Sequence, residues 1–444
     1  MSIPKNSGVE PKWFISFSRD QIPELLRQLS PQSLIEEVPS EIWSKLKEKP
    51  PYILSVGKAA RQMSETLTQL FSVPRSQTLT IIPEGYPPPE DLPYLMGNHP
   101  FPGTKSQTAA LQALSFVKSI PEQERLLCAI SGGASSLLFQ PATGLTEQSK
   151  SALISRLMMK GAPIEILNHV RIHLSAIKGG GLLKGFRGRE VHTVLLSDTP
   201  CLPSETVGSG LTFPLTRDGK KTISILQEWM PFQEIPEEIR QFLLSAQNDP
   251  PVISWKSDIT LVGNSETVLK KAAHLLTPEG VQPEFLTACL SGEAQEAGKV
   301  LGSIIRWQAQ DKTRARLFLA TGETTVTLSE EAGKGGRTLE LGLSLGLSLK
   351  GIRGVIGCLA TDGVDGNSGL SGILLDTFDI QNESIRTRIR NSLRWHDTAP
   401  LVLEEGFSLQ LGPSGTNLND LLWIYLPPKT SRKVTPWTSA TQDN

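Results

Sequence analysis

Four cysteines in 444 residues, Cys128, Cys201, Cys289 and Cys358, stand far apart with no paired spacing. Neither a zinc ribbon nor a disulfide framework is suggested, and a reducing cytoplasm is the expected compartment. Net charge is scarce as well: 44 basic against 45 acidic residues leave -1, so no nucleic-acid or anionic-membrane surface is expected. No uninterrupted apolar run is long enough to span a bilayer, and residues 1–6 lack an apolar leader. Three catalytic signatures are missing too. Neither Gly57-Lys58 nor Gly333-Lys334 has the upstream glycine or the following Ser/Thr of a Walker A loop. Gly208-Ser209-Gly210 runs into Leu211-Thr212-Phe213 instead of completing a dinucleotide fingerprint, and Ser135 lies outside a Gly-x-Ser-x-Gly elbow. These absences leave a soluble protein for a small ligand.

What the chain does have is alternation. Apolar, β-branched runs at 52–56, 78–82, 126–130, 191–196, 259–262, 284–287, 316–320 and 355–360 read as strands. Helical spacing between or beside them covers 22–29, 60–70, 106–120, 164–177, 267–276 and 294–307. Such a pattern predicts an α/β fold of two Rossmann-like domains with mainly parallel, helix-covered sheets. The length is about three typical domains. A polar, proline-bearing stretch at 232–251 places the division, with an amino-terminal domain over 1–245, a carboxyl-terminal domain over 252–428 and a polar tail over 429–444.

The unusual loops follow predicted strands, where α/β folds collect ligands. Gly57-Lys58 follows the first; Ser131-Gly132-Gly133-Ala134-Ser135-Ser136, Ser197-Asp198 and Asp362/Asp365 follow others. Lys178-Gly179-Gly180 ends a predicted helix, with Asn168 and Arg171 as polar neighbours. Gly333-Lys334-Gly335-Gly336-Arg337, after the β-branched stretch 321–326, feeds a helix whose free amides would attract an anion. Each has a plain reading beside the functional one. The last loop is an ordinary tight turn or half of a phosphate site; Lys58 is a surface residue or a ligand; Asp198 caps a turn, holds a metal or acts as a base. His169 and His173 are spaced for zinc but lack the neighbouring glutamate. Amide-rich turns, several cations and separate carboxylates together suit phosphoryl transfer, whose catalysis is mostly positioning and charge neutralisation.

Taken in order, these motifs, with His99-Pro100, Gly322-Glu323-Thr324-Thr325-Val326 and Gly412-Pro413-Ser414-Gly415-Thr416-Asn417-Leu418-Asn419-Asp420, resemble the glycerate 2-kinase family with its MOFRL-type carboxyl-terminal domain. The resemblance spans nearly the whole chain. It implies an active site in the cleft between the domains, ATP as donor, Mg²⁺, and D-glycerate phosphorylated at its 2-hydroxyl. It implies Lys58, Arg337 and Asp198 as catalytic, with Asp198 also a metal ligand. Ser131, Gly132, Gly133, Ser135, Arg171, Lys178, Lys334, Gly335 and Gly336 would bind substrate or phosphate, and the turn at 417–420 would buttress the cleft. The chain departs from the family pattern at Cys201-Leu202, Leu211 and Thr338-Leu339. The alternatives are a hydroxypyruvate reductase-like oxidoreductase and a binding protein without turnover. The expected partner is a small hydroxy acid, with no nucleic acid and no membrane, and a homodimer is left open.

Overall fold

A computed structural model describes residues 10–199, 203–215, 217–245, 256–311 and 313–428. Two six-stranded sheets carry the fold. In the first, β1 (Tyr52–Val56), β2 (Thr78–Pro83), β3 (Tyr94–Gly97), β4 (Arg125–Ser131), β5 (Glu190–Leu196) and β6 (Lys256–Gly263) are arranged β3-β2-β1-β4-β5-β6, all parallel. The order reverses between β1 and β4, so the turns leaving those strands border a crevice at the sheet's carboxyl edge. Strands β4 and β5 are buried over almost their full length, which is why they read as unbroken apolar runs.

The second sheet holds β7 (Pro283–Leu290), β8 (Arg316–Gly322), β9 (Val355–Ala360), β10 (Gly372–Asp376), β11 (Ser408–Leu409) and β12 (Asp420–Leu426) in the order β11-β10-β9-β12-β8-β7. The α/β class holds, but here only β7 and β8 run parallel; β12 lies between β8 and β9 and opposes both. Its direction matters for the site. Asp420, the first residue of β12, sits beside Gly322 and Ala360, the last residues of β8 and β9. An antiparallel strand thus delivers its beginning to the edge where its neighbours end.

Several expectations shift. The division at 245–252 would assign β6 to the second half, yet β6 pairs with β5 in the first sheet, because register with a buried parallel neighbour outweighs the composition change before it. Helix Pro11–Gln28 opens the chain but packs toward the second sheet, with Phe14 stacked on Tyr425 at 4.3 Å. The helix read over 164–177 stops at His173, and the strand read over 321–326 stops at Gly322. The carboxyl-terminal tail at 429–444 lies outside the described residues. Cys128 and Cys358 are buried free thiols, whereas Cys289 is disulfide-bonded, which the cysteine spacing did not suggest. One continuous apolar core joins residues of both sheets, including Leu127, Val194, Leu319 and Trp423.

Candidate active site

The crevice of the first sheet is built by two turns locked to each other. Lys58 N–H donates to the Gly132 carbonyl at 2.8 Å, and Ala59 N–H donates to Ser131 Oγ at 3.1 Å. Gly57 has a left-handed φ of 129°, and a Cβ there would overlap Ser131 Oγ, so only glycine lets β1 and β4 turn this closely. Ser131 is therefore a buried clasp rather than an open ligand. Gly132 meets Asp198, which follows β5: a Cβ on Gly132 would overlap Asp198 Oδ2. Gly133 faces His99 and the stem of Lys58. The amides of Gly132, Gly133, Ala134 and Ser135 make no hydrogen bond among the described residues, so this turn offers donors at the crevice.

The second half reaches the same place. A cavity of about 480 Å³ is lined by Lys58, Gln62 and Tyr86 from the first half and by Asp362, Ser414 and Asn417 from the second. Asn417 Nδ2 donates to Asp198 Oδ2 at 3.4 Å. A neighbouring cavity of about 410 Å³ holds Arg337, Glu323, Gly335, Gly336, Glu340 and His396. Electrostatics ties the halves together. Burial pushes the Asp198 carboxyl up to about 6; Lys58 draws it down, Glu323 raises it further, and Arg337 draws it down. Lys58 and Arg337, from different halves, thus act on one carboxylate.

Arg337 is held rigidly. Its Nε and Nη2 donate to the two Asp420 oxygens at 2.7 and 3.1 Å, and Nη1 donates to Glu323. Burial lowers its pKa, but Asp420 and then Glu323 more than offset that, so it stays charged. Lys58 makes no ion pair among the described residues, so its ammonium is available to a ligand.

The glycine-rich loop before Arg337 differs from expectation. Lys334 N–H donates to Asp397 Oδ1 at 2.9 Å, and Gly335 N–H to Asn367 Oδ1 at 2.8 Å. Thr338 and Leu339 N–H, at the start of helix Arg337–Ser348, donate to buried Asp365 at 3.1 and 3.0 Å. These four amides are already satisfied by the protein's own carboxylates and amide, whereas the Gly336 and Arg337 N–H groups make no hydrogen bond among the described residues, so the helix start is only partly open to an anion. Gly336 is extended, and a Cβ there would overlap Asp365. The glycine makes room for the capping acid. Lys334 is exposed and does not line the cavity.

Ser135 and Lys178 meet: Lys178 Nζ donates to the Ser135 carbonyl at 2.8 Å and also to its Oγ. Arg171 stands near them, donating to Asn168 at 3.4 Å. His169 and His173 stack at 4.1 Å and are used internally, His169 with Thr222 Oγ1 and His173 with the His169 carbonyl and Asp218 N–H. Leu211 and Leu339 are core residues, and Cys201 and Leu202 lie outside the described residues. The sequence reading missed Asp420 and Glu323 as the clamp on Arg337. The signal for Asp420 was present, an acid opening the buried run Leu421-Leu422-Trp423-Ile424-Tyr425-Leu426.

Fold and cleft together define an α/β protein of two halves whose cleft is bordered by cations, amides unpaired among the described residues and a perturbed carboxylate. Residues 19–244 match a domain of unknown function, DUF4147, and residues 316–420 match the MOFRL family. The D-glycerate 2-kinase of Thermotoga maritima is 30% identical over 381 residues, covering 83% of this chain and 89% of that protein. The glycerate 2-kinase of Pyrococcus horikoshii is 28% identical, covering 86% and 88%, and a putative hydroxypyruvate reductase of Agrobacterium vitis is 30% identical, covering 84% and 86%. The crystal structure of a glycerate kinase from Thermotoga maritima superposes with a TM-score of 0.80 at 26% identity, covering 94% of this chain and 100% of that one. The chain belongs to the glycerate 2-kinase family.

Proposed function

We propose that the protein transfers the γ-phosphoryl group of ATP to the 2-hydroxyl of D-glycerate, giving 2-phospho-D-glycerate and ADP. The observation that carries this reading is the convergence of Lys58 and Arg337 on Asp198 across the cleft, supported by the relatives whose names specify that substrate. Asp198, with its carboxyl at about 6, is largely ionised near neutral pH and accepts the proton of the attacking hydroxyl. As that oxygen bonds to phosphorus, the bond to the ADP oxygen breaks and negative charge spreads over the transferring group. Lys58, which makes no ion pair among the described residues, meets this charge, and Arg337, fixed by Asp420, supplies a second positive centre with no reorganisation at the moment of transfer. The open amides of residues 132–135 hold oxyanions beside it.

A divalent cation fits the same edge. Glu323 raises Asp198, so the two carboxylates repel one another, and Mg²⁺ uses one or two carboxylates with phosphate and water for the rest. Asp198 with Glu323 would hold it. Bound Mg²⁺ would supply charge neutralisation on the triphosphate. The reductase reading gains nothing from the structure, since no dinucleotide fingerprint follows β1.

The test is purified protein with D-glycerate, ATP and Mg²⁺, followed for ADP and 2-phosphoglycerate, with hydroxypyruvate and NADH in parallel. Stoichiometric ADP and 2-phosphoglycerate are expected. NADH oxidation without ADP formation would contradict the proposal.

A further inference from the structure

Beside Ser135, in the turn Ser131–Ser136, four cations gather, and none of them forms an ion pair with a carboxylate among the described residues. Lys178 is 3% exposed and is tied to Ser135. Arg217 Nη2 donates to the Ser175 carbonyl at 2.7 Å and to the Lys178 carbonyl at 3.3 Å, so its guanidinium lies against the Lys178 backbone. Ser175 Oγ donates in turn to the Gln140 carbonyl at 3.0 Å, joining this segment to the one that carries Phe139. Lys150 lies over the Phe139 ring at 4.8 Å; it is 1% exposed, and its ammonium has no hydrogen-bond partner among the described residues. Arg171 completes the group, and like Arg217 it is only part-buried, so one side of the cluster remains open. Asp218, next to Arg217 in sequence, is spent on capping helix Gly219–Trp229 through Lys221 N–H and forms no ion pair with the cluster.

A buried ammonium without a partner is costly, and like charges beside it make it costlier. After burial, Arg217 and Arg171 are what depress Lys150, to about 7, and Lys150 and Arg171 depress Lys178. Leu153 and Leu157, the other buried residues of helix Glu147–Met159, are apolar, so that face of the helix does not need an ammonium for its packing. The arrangement makes sense if an anion completes it.

We propose that Lys150, Arg171, Lys178 and Arg217 form a receptor for an oxyanion, the carboxylate of the small hydroxy acid or a phosphate group, beside Ser135 in the same turn that meets Asp198 at Gly132. That an oxyanion binds follows from the cluster alone; which anion it is rests on the kinase reading. One turn would then connect the two ends of the ligand, with Ser135 touching Lys178 and Gly132 touching Asp198.

The test is calorimetric titration of the full chain with D-glycerate, with inorganic phosphate and with ADP plus Mg²⁺, repeated on Lys150→Met and Arg171→Gln. Loss of a charge-assisted contact should weaken binding about tenfold or more. Weakening for D-glycerate alone identifies a carboxylate receptor, and weakening for phosphate or ADP identifies a phosphate receptor; either supports the proposal. Lys150→Met should also melt at the same temperature as the wild type or higher, because an uncompensated buried charge is removed. Arg171→Gln carries the test if Lys150→Met does not fold. Unchanged affinity for all three ligands in the folded variants, or no binding of any of them by the wild type, overturns it. Absence of glycerate phosphorylation with anion binding intact would remove the kinase reading and leave the receptor standing.

Discussion

Two glycine-rich turns border the cleft, one from each half, and they are built for opposite purposes. At residues 131–136 the glycines bring backbone to Asp198 and leave four amides without a partner among the described residues. At residues 333–337 none of the glycines has a left-handed φ, and the space they leave is filled by Asp397, Thr398 and Asp365. The first turn is open to a ligand; the second is mostly plugged by acids, with the Gly336 and Arg337 amides left unpaired among the described residues, and serves to aim Arg337. Glycine content alone does not distinguish the two. The number of carboxylates folded back onto the loop does.

This contrast is sharpest for the two cations. Lys58→Ala should lower turnover by about 100-fold or more with little change in melting, because Lys58 makes no ion pair among the described residues. Arg337→Ala should lower turnover as strongly and also destabilise the fold by about 3 kcal/mol, since it strands buried Asp420. Kinetics and thermal denaturation on the same preparations separate the two behaviours; equal melting of both variants would show that the Asp420 clamp is not structural.

Alanine in the two turns extends the comparison. Gly132→Ala should displace Asp198 and reduce kcat about 100-fold, as a misplacement of about 1 Å at a reacting group does. Gly336→Ala presses on Asp365 and should destabilise by about 1–3 kcal/mol. Denaturant melts that rank Gly132→Ala below Gly336→Ala would break the distinction between open and plugged turns.

The pH profile reports on the open side alone. With the Asp198 carboxyl raised to about 6 and required as a base, kcat/KM should fall as pH drops below about 6 and level off above it. Lys58→Ala removes a cation that draws Asp198 down, so its remaining activity should show the limb at higher pH. A limb that stays in place would mean Lys58 and Asp198 do not interact. The smallest effect is expected at Lys334→Ala, an exposed position away from the cavity, with stability changed by less than about 0.5 kcal/mol and KM for ATP nearly unchanged.

Much of the first half was legible because β1, β2, β4 and β5 are buried parallel runs, a pattern that periodicity detects directly; β1 and helix Ala60–Leu70 match their expected bounds, whereas the short, half-exposed β3 was not read. The second half was harder. The run 421–426 is as apolar as any strand, but periodicity carries no direction, and the antiparallel placement of β12 is what brings Asp420 to Arg337. Lys58, Asp198 and Arg337 could be marked from their motifs. The capping of the second turn by Asp365, Asn367 and Asp397 depends on contacts over 26 to 63 positions, which no local window contains. Lys150 and Arg217 carried no motif; burial without a hydrogen-bond partner among the described residues marks Lys150, and contact with the Ser175 and Lys178 carbonyls marks Arg217.

The most direct test is a double-mutant cycle on D-glycerate phosphorylation, with wild type, Lys58→Ala, Arg337→Ala and the combined variant assayed for 2-phosphoglycerate. If the two cations act together across the cleft, each single change removes most of the rate and the combined variant is hardly slower than the worse single one. Wild-type turnover in both single variants would contradict the account.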